Sequence, residues 1–293
     1  MNTIIKEQIK LHFIVLILGF TAILGKLISL NATDMIWYRM LLAFLSLGVY
    51  VWFKKNRVRY SRKTILQMTG VGIVIALHWI TFFYSIKVSN VSVALGTFAS
   101  TTFFTALLEP MIFRKRIDKY ELLLGVVIII GLYLIFQFEF RYILGIVSSL
   151  TSAFLAGLFT VLNKKLIHKY DPVSISFYEM GSGFLAISVY FLFTGRFADN
   201  FPFPSAPDWL WLLLLSIVCT AYAFVVSVDV MKVLSAYTVA LAFNMEPVYA
   251  ILLASWIFKD SEYMSFGFYA GTVIIMIAVF LYPVLYRKRA VTG

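Results

Sequence analysis

Ten apolar runs of about 20 residues, parted by short polar stretches, constrain this chain more than any other feature. A run of that length crosses about 30 Å as a helix at 1.5 Å per residue, and a helix satisfies its own backbone where water is absent. The runs fall at 11–30, 34–53, 65–87, 91–113, 121–138, 142–163, 173–194, 208–230, 234–258 and 266–286. They predict an all-α membrane protein. Composition agrees: of 293 residues, 61% are hydrophobic and only 13% charged, well outside the range of an ordinary soluble domain. Twenty-eight Phe and seventeen Tyr suit a polytopic helical bundle, since a barrel would alternate apolar and polar residues in short segments. The first run lacks a small-x-small cleavage site and reads as a retained span rather than a signal peptide. Cys219, the single cysteine, supports no disulfide framework.

A net charge of +11 would suit a nucleic-acid binder if it were spread over one face. It is instead gathered between spans, as in Lys54-Lys55-Asn56-Arg57-Val58-Arg59, so it reports topology and nucleic acid is not an expected partner. Of the 25 Lys and Arg, 19 fall on the side shared by the two termini and 4 on the other, with Lys26 and Arg39 inside spans. The positive-inside rule therefore places both termini in the cytoplasm and favours ten spans, because a miscount would scramble the alternation.

An internal repeat accompanies the spans. Leu24-Gly25-Lys26-Leu27-Ile28, Tyr38-Arg39-Met40 and Ser46-Leu47-Gly48-Val49-Tyr50 resemble Leu162-Asn163-Lys164-Lys165-Leu166-Ile167, Tyr178-Glu179-Met180 and Ile187-Ser188-Val189-Tyr190, at an offset close to 140. Five spans is an odd number, so a second copy enters the membrane from the opposite face. The expected architecture is two inverted five-helix repeats, 1–139 and 140–293, an arrangement that places a substrate site near the bilayer midplane.

Ionisable groups inside spans are expensive and mark candidate sites. Six occur: Lys26, Arg39, His78, Glu109, Glu179 and Glu246. Glu246 and His78 fall near mid-span. Asn244-Met245-Glu246-Pro247 interrupts the ninth run, and Pro247 cannot donate the helical hydrogen bond to residue 243, so polar backbone and a carboxyl share one depth. His78 is followed by Trp79, Phe82 and Phe83, a setting for an aromatic or amphipathic ligand or for a proton relay. Lys26, Arg39 and Glu179 lie nearer the surfaces and are candidates for gating or coupling together with Pro247; snorkelling of Arg39 to the interface is the alternative. Glu109 is expected to pair with Arg114 or Lys115 at the cytoplasmic rim. No hydrolase, P-loop or metal-spacing motif is present, and an enzyme is not expected.

The ten spans, the two copies, the Asn-x-Glu-Pro of the ninth span and the glycine-containing tenth span from Gly267 together resemble the EamA family of the drug/metabolite transporter superfamily. Leu241 to Phe258 followed by Gly271 carries the resemblance furthest; the first copy departs from it, with Thr101-Thr102 where a proline is usual. The resemblance implies a multi-pass carrier of the bacterial inner membrane that exports amino acids or related metabolites. It also implies a cavity reached by His78, Trp79, Asn163, Tyr222, Asn244 and Glu246. The expected mechanism is alternating access within the lipid bilayer, with Glu246 and then His78 contacting a small-molecule substrate or a proton, and with no cofactor. A passive facilitator or cation channel of the same fold, and a non-transporting binding or scaffold protein, are the rival expectations.

Overall fold

The computed structural model describes residues 3–53, 60–114, 119–138, 140–198, 201–243, 245–258 and 264–292, and every regular element among them is helical. In chain order these are α1 (Thr3–Gly19), α2 (Thr21–Leu27), α3 (Ala32–Phe53), α4 (Arg62–Val88), α5 (Val91–Phe98), α6 (Thr101–Phe113) and α7 (Lys119–Phe138). A 3-10 turn at Phe140–Tyr142 leads into α8 (Ile143–Ile167), α9 (Pro172–Phe193) and α10 (Ala206–Leu213). A π-helical stretch at Leu214–Tyr222 joins α10 to α11 (Ala223–Val230), and α12 (Ala236–Phe243), α13 (Glu246–Phe258) and α14 (Phe266–Thr292) complete the chain.

Local chemistry sets many of the ends. Ser61, Asn90, Asp171 and Ser205 cap α4, α5, α9 and α10 by accepting a backbone N–H three residues on, and Pro172 occupies the first turn of α9, where its missing donor is harmless. Ser205 and Asp208 form a reciprocal capping box, and Asp208 also accepts from the Ser29 backbone N–H at 2.7 Å and from Ser29 Oγ at 2.6 Å, tying the end of α2 to the start of α10.

The element boundaries repeat. The joined pair α1–α2 and α3 span 3–27 and 32–53, while α8 and α9 span 143–167 and 172–193, so each boundary recurs 140 residues later (143 less 3). Helices α5 and α6, at 91–98 and 101–113, recur as α12 and α13 at 236–243 and 246–258, an offset of 145 (236 less 91). The fourth and ninth apolar runs are thus both broken into an eight-residue and a thirteen-residue helix, where the sequence reading placed one kinked span in the ninth. Pro247 sits in the first turn of α13, a position where proline starts a helix rather than bending one.

Packing crosses between the copies. Helix α4 lies against α8 and α9, α3 against α9, α1 against α11 and α13, and α7 against α14. Without water to drive association inside a bilayer, such contacts rest on close approach of small residues. At Gly131 of α7 an added Cβ would come 2.7 Å from the Gly271 carbonyl, and at Gly271 of α14 it would come 2.6 Å from the Gly131 carbonyl. Neither backbone can retreat, so only glycine fits on either side.

Outward faces are apolar. Phe193, Phe203, Trp256 and Phe266 are each at least 78% exposed, and such a surface requires a lipid solvent. Among the described residues, seven segments are long and apolar enough to cross a membrane: Thr3–Leu27, Ala32–Phe53, Arg62–Val88, Val91–Phe113, Phe140–Ile167, Pro172–Phe193 and Ala206–Val230. Shorter apolar stretches lie at Leu123–Ile135 and Phe266–Ala278, within α7 and α14. The protein is a multi-pass membrane protein.

Candidate functional site

Both helix breaks open onto one cavity. It encloses about 800 Å³ of empty space, counting its open mouth, and its wall draws on both copies. Phe98 and Phe243, the last residues of α5 and α12, line it, as do Thr101 and Glu246, the first residues of α6 and α13. Most of the remaining wall is apolar, and its rings are Trp79, Phe82 and Phe83 from α4, Phe159 from α8 and Phe224 from α11.

Two buried groups of opposite charge type meet in this wall. Arg39 of α3 is only 2% exposed; its guanidinium lies 3.9 Å from the centre of the Trp79 ring, and its Nε donates to Thr220 Oγ1 at 2.7 Å. Stacking fixes the plane of the fork and the hydrogen bond fixes its rotation. Thr220 belongs to the π-helical stretch, and its hydroxyl reaches back five residues to the Leu215 carbonyl at 2.7 Å. Among the described residues the two Nη groups of Arg39 have no hydrogen-bond partner, and neither is fully buried. Glu246 is 7% exposed. Its Oε1 lies 3.2 Å from Thr21 Oγ1, a hydroxyl that also reaches the Leu18 carbonyl at 2.7 Å, while Oε2 has no hydrogen-bond partner among the described residues and is not fully buried. The two charged groups line the same cavity, yet no Arg39 nitrogen lies within 4.0 Å of a Glu246 oxygen.

His78 completes the polar wall. Its Nδ1 lies 3.1 Å from the Ser152 carbonyl oxygen and 2.8 Å from Ser152 Oγ, which itself donates to the His78 carbonyl. A carbonyl only accepts, so Nδ1 carries the hydrogen and Nε2 of the neutral ring offers a lone pair. Phe98 stacks on the imidazole at 5.5 Å and Phe159 tilts against it at 5.2 Å.

The family model described as "EamA-like transporter family" matches the chain twice, over 9–137 and 143–282. The chain belongs to that family. Among its relatives are the "uncharacterized transporter YxxF" of Bacillus subtilis (strain 168), 23% identical over 284 residues that cover 92% of this chain and 89% of the relative, and an uncharacterized transporter of Archaeoglobus fulgidus, 25% identical over 263 residues covering 86% and 88%. A protein of known crystal structure shares the fold with a TM-score of 0.70 at 13% identity, over 97% of this chain and 99% of that one. The family and relatives are transporters, which points away from an enzyme.

In this EamA chain the expected site residues separate into three groups. His78, Trp79, Asn163 and Glu246 line the cavity, and Arg39, expected near a surface, lines it too. Its burial rules out snorkelling to the interface. Glu179 sits behind Asn163: it is wholly buried, and Asn163 Nδ2 donates to its Oε2 at 3.4 Å. Lys26 lies away from the wall, half-buried, with its ammonium 4.2 Å over the Phe258 ring. Tyr222 is 51% exposed and does not line the cavity. Asn244 lies outside the described residues, and the Pro247 backbone opens α13.

Glu109 has a partner that the expected rim ion pair did not include. Its Oε2 accepts the Tyr237 backbone N–H at 2.9 Å, so it caps the start of α12 from the other copy, and it makes no contact with Arg114; Lys115 lies outside the described residues. The sequence reading also missed Thr21 and Thr220, which hold the two charged groups, and Phe98, Phe159, Phe224 and Phe243. A hydroxyl or a phenylalanine in an apolar run is too ordinary to stand out. Only the 145-residue offset, which sets Phe98 against Phe243 as it sets Thr101 against Glu246, would have singled out two of them.

Proposed function

We propose that this EamA-family protein is a secondary-active carrier of the bacterial inner membrane, exporting amino acids or related small metabolites by alternating access. In this reading the chain crosses the bilayer ten times, as inverted copies at 1–139 and 140–293, with both termini in the cytoplasm. The Lys and Arg asymmetry supports that orientation, and the recurring helix boundaries support the division. The observation that carries the reading is the cavity itself: a largely apolar chamber between the copies, entered by two helix breaks and holding Arg39, His78 and Glu246.

Glu246 is the proposed coupling group. Its neighbour Thr21 can accommodate both protonation states without moving. When Glu246 is ionised, the Thr21 hydroxyl donates to Oε1; when it is protonated, the carboxyl donates to Thr21 Oγ1, whose own hydrogen turns to the Leu18 carbonyl. The titratable groups facing it across the cavity are Arg39, His78 and Cys219. Lys26 over Phe258, and Glu179 behind Asn163, are proposed to stabilise closed states at the two ends of the transport path.

Reconstitution into liposomes tests this. Imposing a proton gradient should drive accumulation of amino acid by the wild type, and Glu246→Gln should abolish both the drive and its pH dependence. Flux that ignores the gradient would identify a passive facilitator or channel, and flux equal to that of empty liposomes would identify a binding or scaffold protein.

A further inference from the structure

Among the described residues six buried side-chain atoms have no hydrogen-bond partner, and three of them fall on α8 and α9: Asn163 Oδ1, Ser176 Oγ and Glu179 Oε1. All three residues are fully buried. Glu179 and Asn163 already touch, Nδ2 donating to Oε2 at 3.4 Å, so each unpartnered oxygen shares its carbon with an atom of that contact. Ser176 stands one helical turn before Glu179 on the same face of α9. The other three atoms, on Thr97, Ser216 and Thr272, are hydroxyls on separate segments.

What is missing around Glu179 is positive charge. An ionised carboxyl and an amide oxygen only accept, and among the described residues no Lys, Arg or His nitrogen lies within 4.0 Å of a Glu179 oxygen. A carboxylate in low dielectric without a countercharge is expensive, and breaking the shortage needs a group that accepts from no one and binds oxygen. A hard metal cation does both. One carboxylate balances one positive charge, whereas a divalent ion would leave a net charge in the same dry place. Access is from one side. Towards α4 the site is shut, since a Cβ added at Gly72 would come 2.4 Å from the Glu179 carbonyl oxygen and 2.9 Å from its Cα. Towards the cavity stand Asn163 and, one turn before it, Thr160, both in the wall, so the way to Glu179 leads past Asn163.

We propose that Glu179, Asn163 and Ser176 form a sodium site behind the cavity wall, the cation taking a carboxylate oxygen, the amide oxygen and the hydroxyl, with water from the cavity filling its remaining positions. The site is separate from Glu246, which lies in the wall at the second helix break. Because α8 and α9 supply all three side chains, a bound ion ties these two helices together at the depth of Asn163.

The test uses purified full-length protein in detergent, with sodium, potassium or choline chloride at equal ionic strength. Thermal unfolding should rise by about 3 °C or more with sodium along a saturating curve, and stay level with potassium and choline. Radiolabelled sodium should bind once per chain. Glu179→Gln, which brings its own amide hydrogens to Asn163, should unfold at one temperature in all three salts and bind no sodium. Ser176→Ala, which keeps the charge and removes one ligand, should raise the half-saturating sodium concentration about tenfold, and it carries the test where Glu179→Gln does not fold. Glu246→Gln should keep the sodium response. A wild type indifferent to sodium, or one that responds equally to potassium or choline, would overturn the proposal. So would a sodium response that survives Glu179→Gln or vanishes with Glu246→Gln, since the ion would then sit elsewhere. Every readout is of binding, so the result stands or falls independently of whether a solute crosses the membrane.

Discussion

The two helix breaks share a shape and differ in chemistry. Each follows an eight-residue helix ending in phenylalanine and precedes a thirteen-residue helix whose first residue lines the cavity. In the first copy the break is closed by its own hydroxyls: Ser100 Oγ donates to the Thr97 carbonyl at 2.8 Å, Thr101 Oγ1 to Phe98 at 2.7 Å, and Thr105 Oγ1 to Thr101 at 2.9 Å. In the second copy the same place presents a carboxyl. One break is a finished piece of structure and the other sets an ionisable group in the cavity wall. The breaks therefore do not depend on proline, since the first has none between Phe98 and Thr105. The geometry belongs to the repeat, and Pro247 fits a start that the fold supplies on both sides.

That comparison can be attacked at several points. The largest effect should come from Glu246→Gln, which leaves Arg39 as the sole charge of the pair and should lower proton-driven flux about 100-fold, the equivalent of a buried charge losing about 3 kcal/mol of partnership. Exchanging the two first residues, Thr101→Glu with Glu246→Thr, should leave flux at least about tenfold below wild type, because the first break supplies backbone carbonyls and no hydroxyl corresponding to Thr21. Recovery of full flux would show the two places to be interchangeable. Thr220→Val should lower flux about tenfold through loss of one hydrogen bond to a charged group, worth about 1.5 kcal/mol, with little change in proton dependence. Smallest of all, Pro247→Ala should shift thermal unfolding by less than about 1 kcal/mol, and a larger loss would mean that proline makes the second break after all.

Much of this architecture was legible because its causes are local and long. Apolar length marks a helix, and the Leu24 to Tyr50 stretch marks the copy whose matching stretch begins near Leu162. Pro247 beside Glu246 announced the second break. Nothing announced the first, because Ser100-Thr101-Thr102 contains no residue that forbids a helix. Arg39 was placed by counting residues from the span end, which locates the backbone; its long side chain carries the charge back to Trp79 and Thr220. Tyr222, expected in the wall from resemblance, ends a nine-residue π-helical stretch, through which a register counted at 3.6 residues per turn no longer applies. Glu109 also accepts from the backbone of Tyr237, a distant stretch of chain that no local pattern connects to it.

The π-helical stretch has a consequence for how this copy could change. Its counterpart α4 runs as unbroken α-helix over 27 residues from Arg62 to Val88, while Ala206–Val230 holds 25, so the wider winding at Leu214–Tyr222 is particular to this copy and is not spare length. The bond from Thr220 Oγ1 to the Leu215 carbonyl, five residues back, belongs to that winding. A substitution that rewound the segment at 3.6 residues per turn, silent in hydropathy and in span count, would swing the Thr220 hydroxyl off the Arg39 guanidinium.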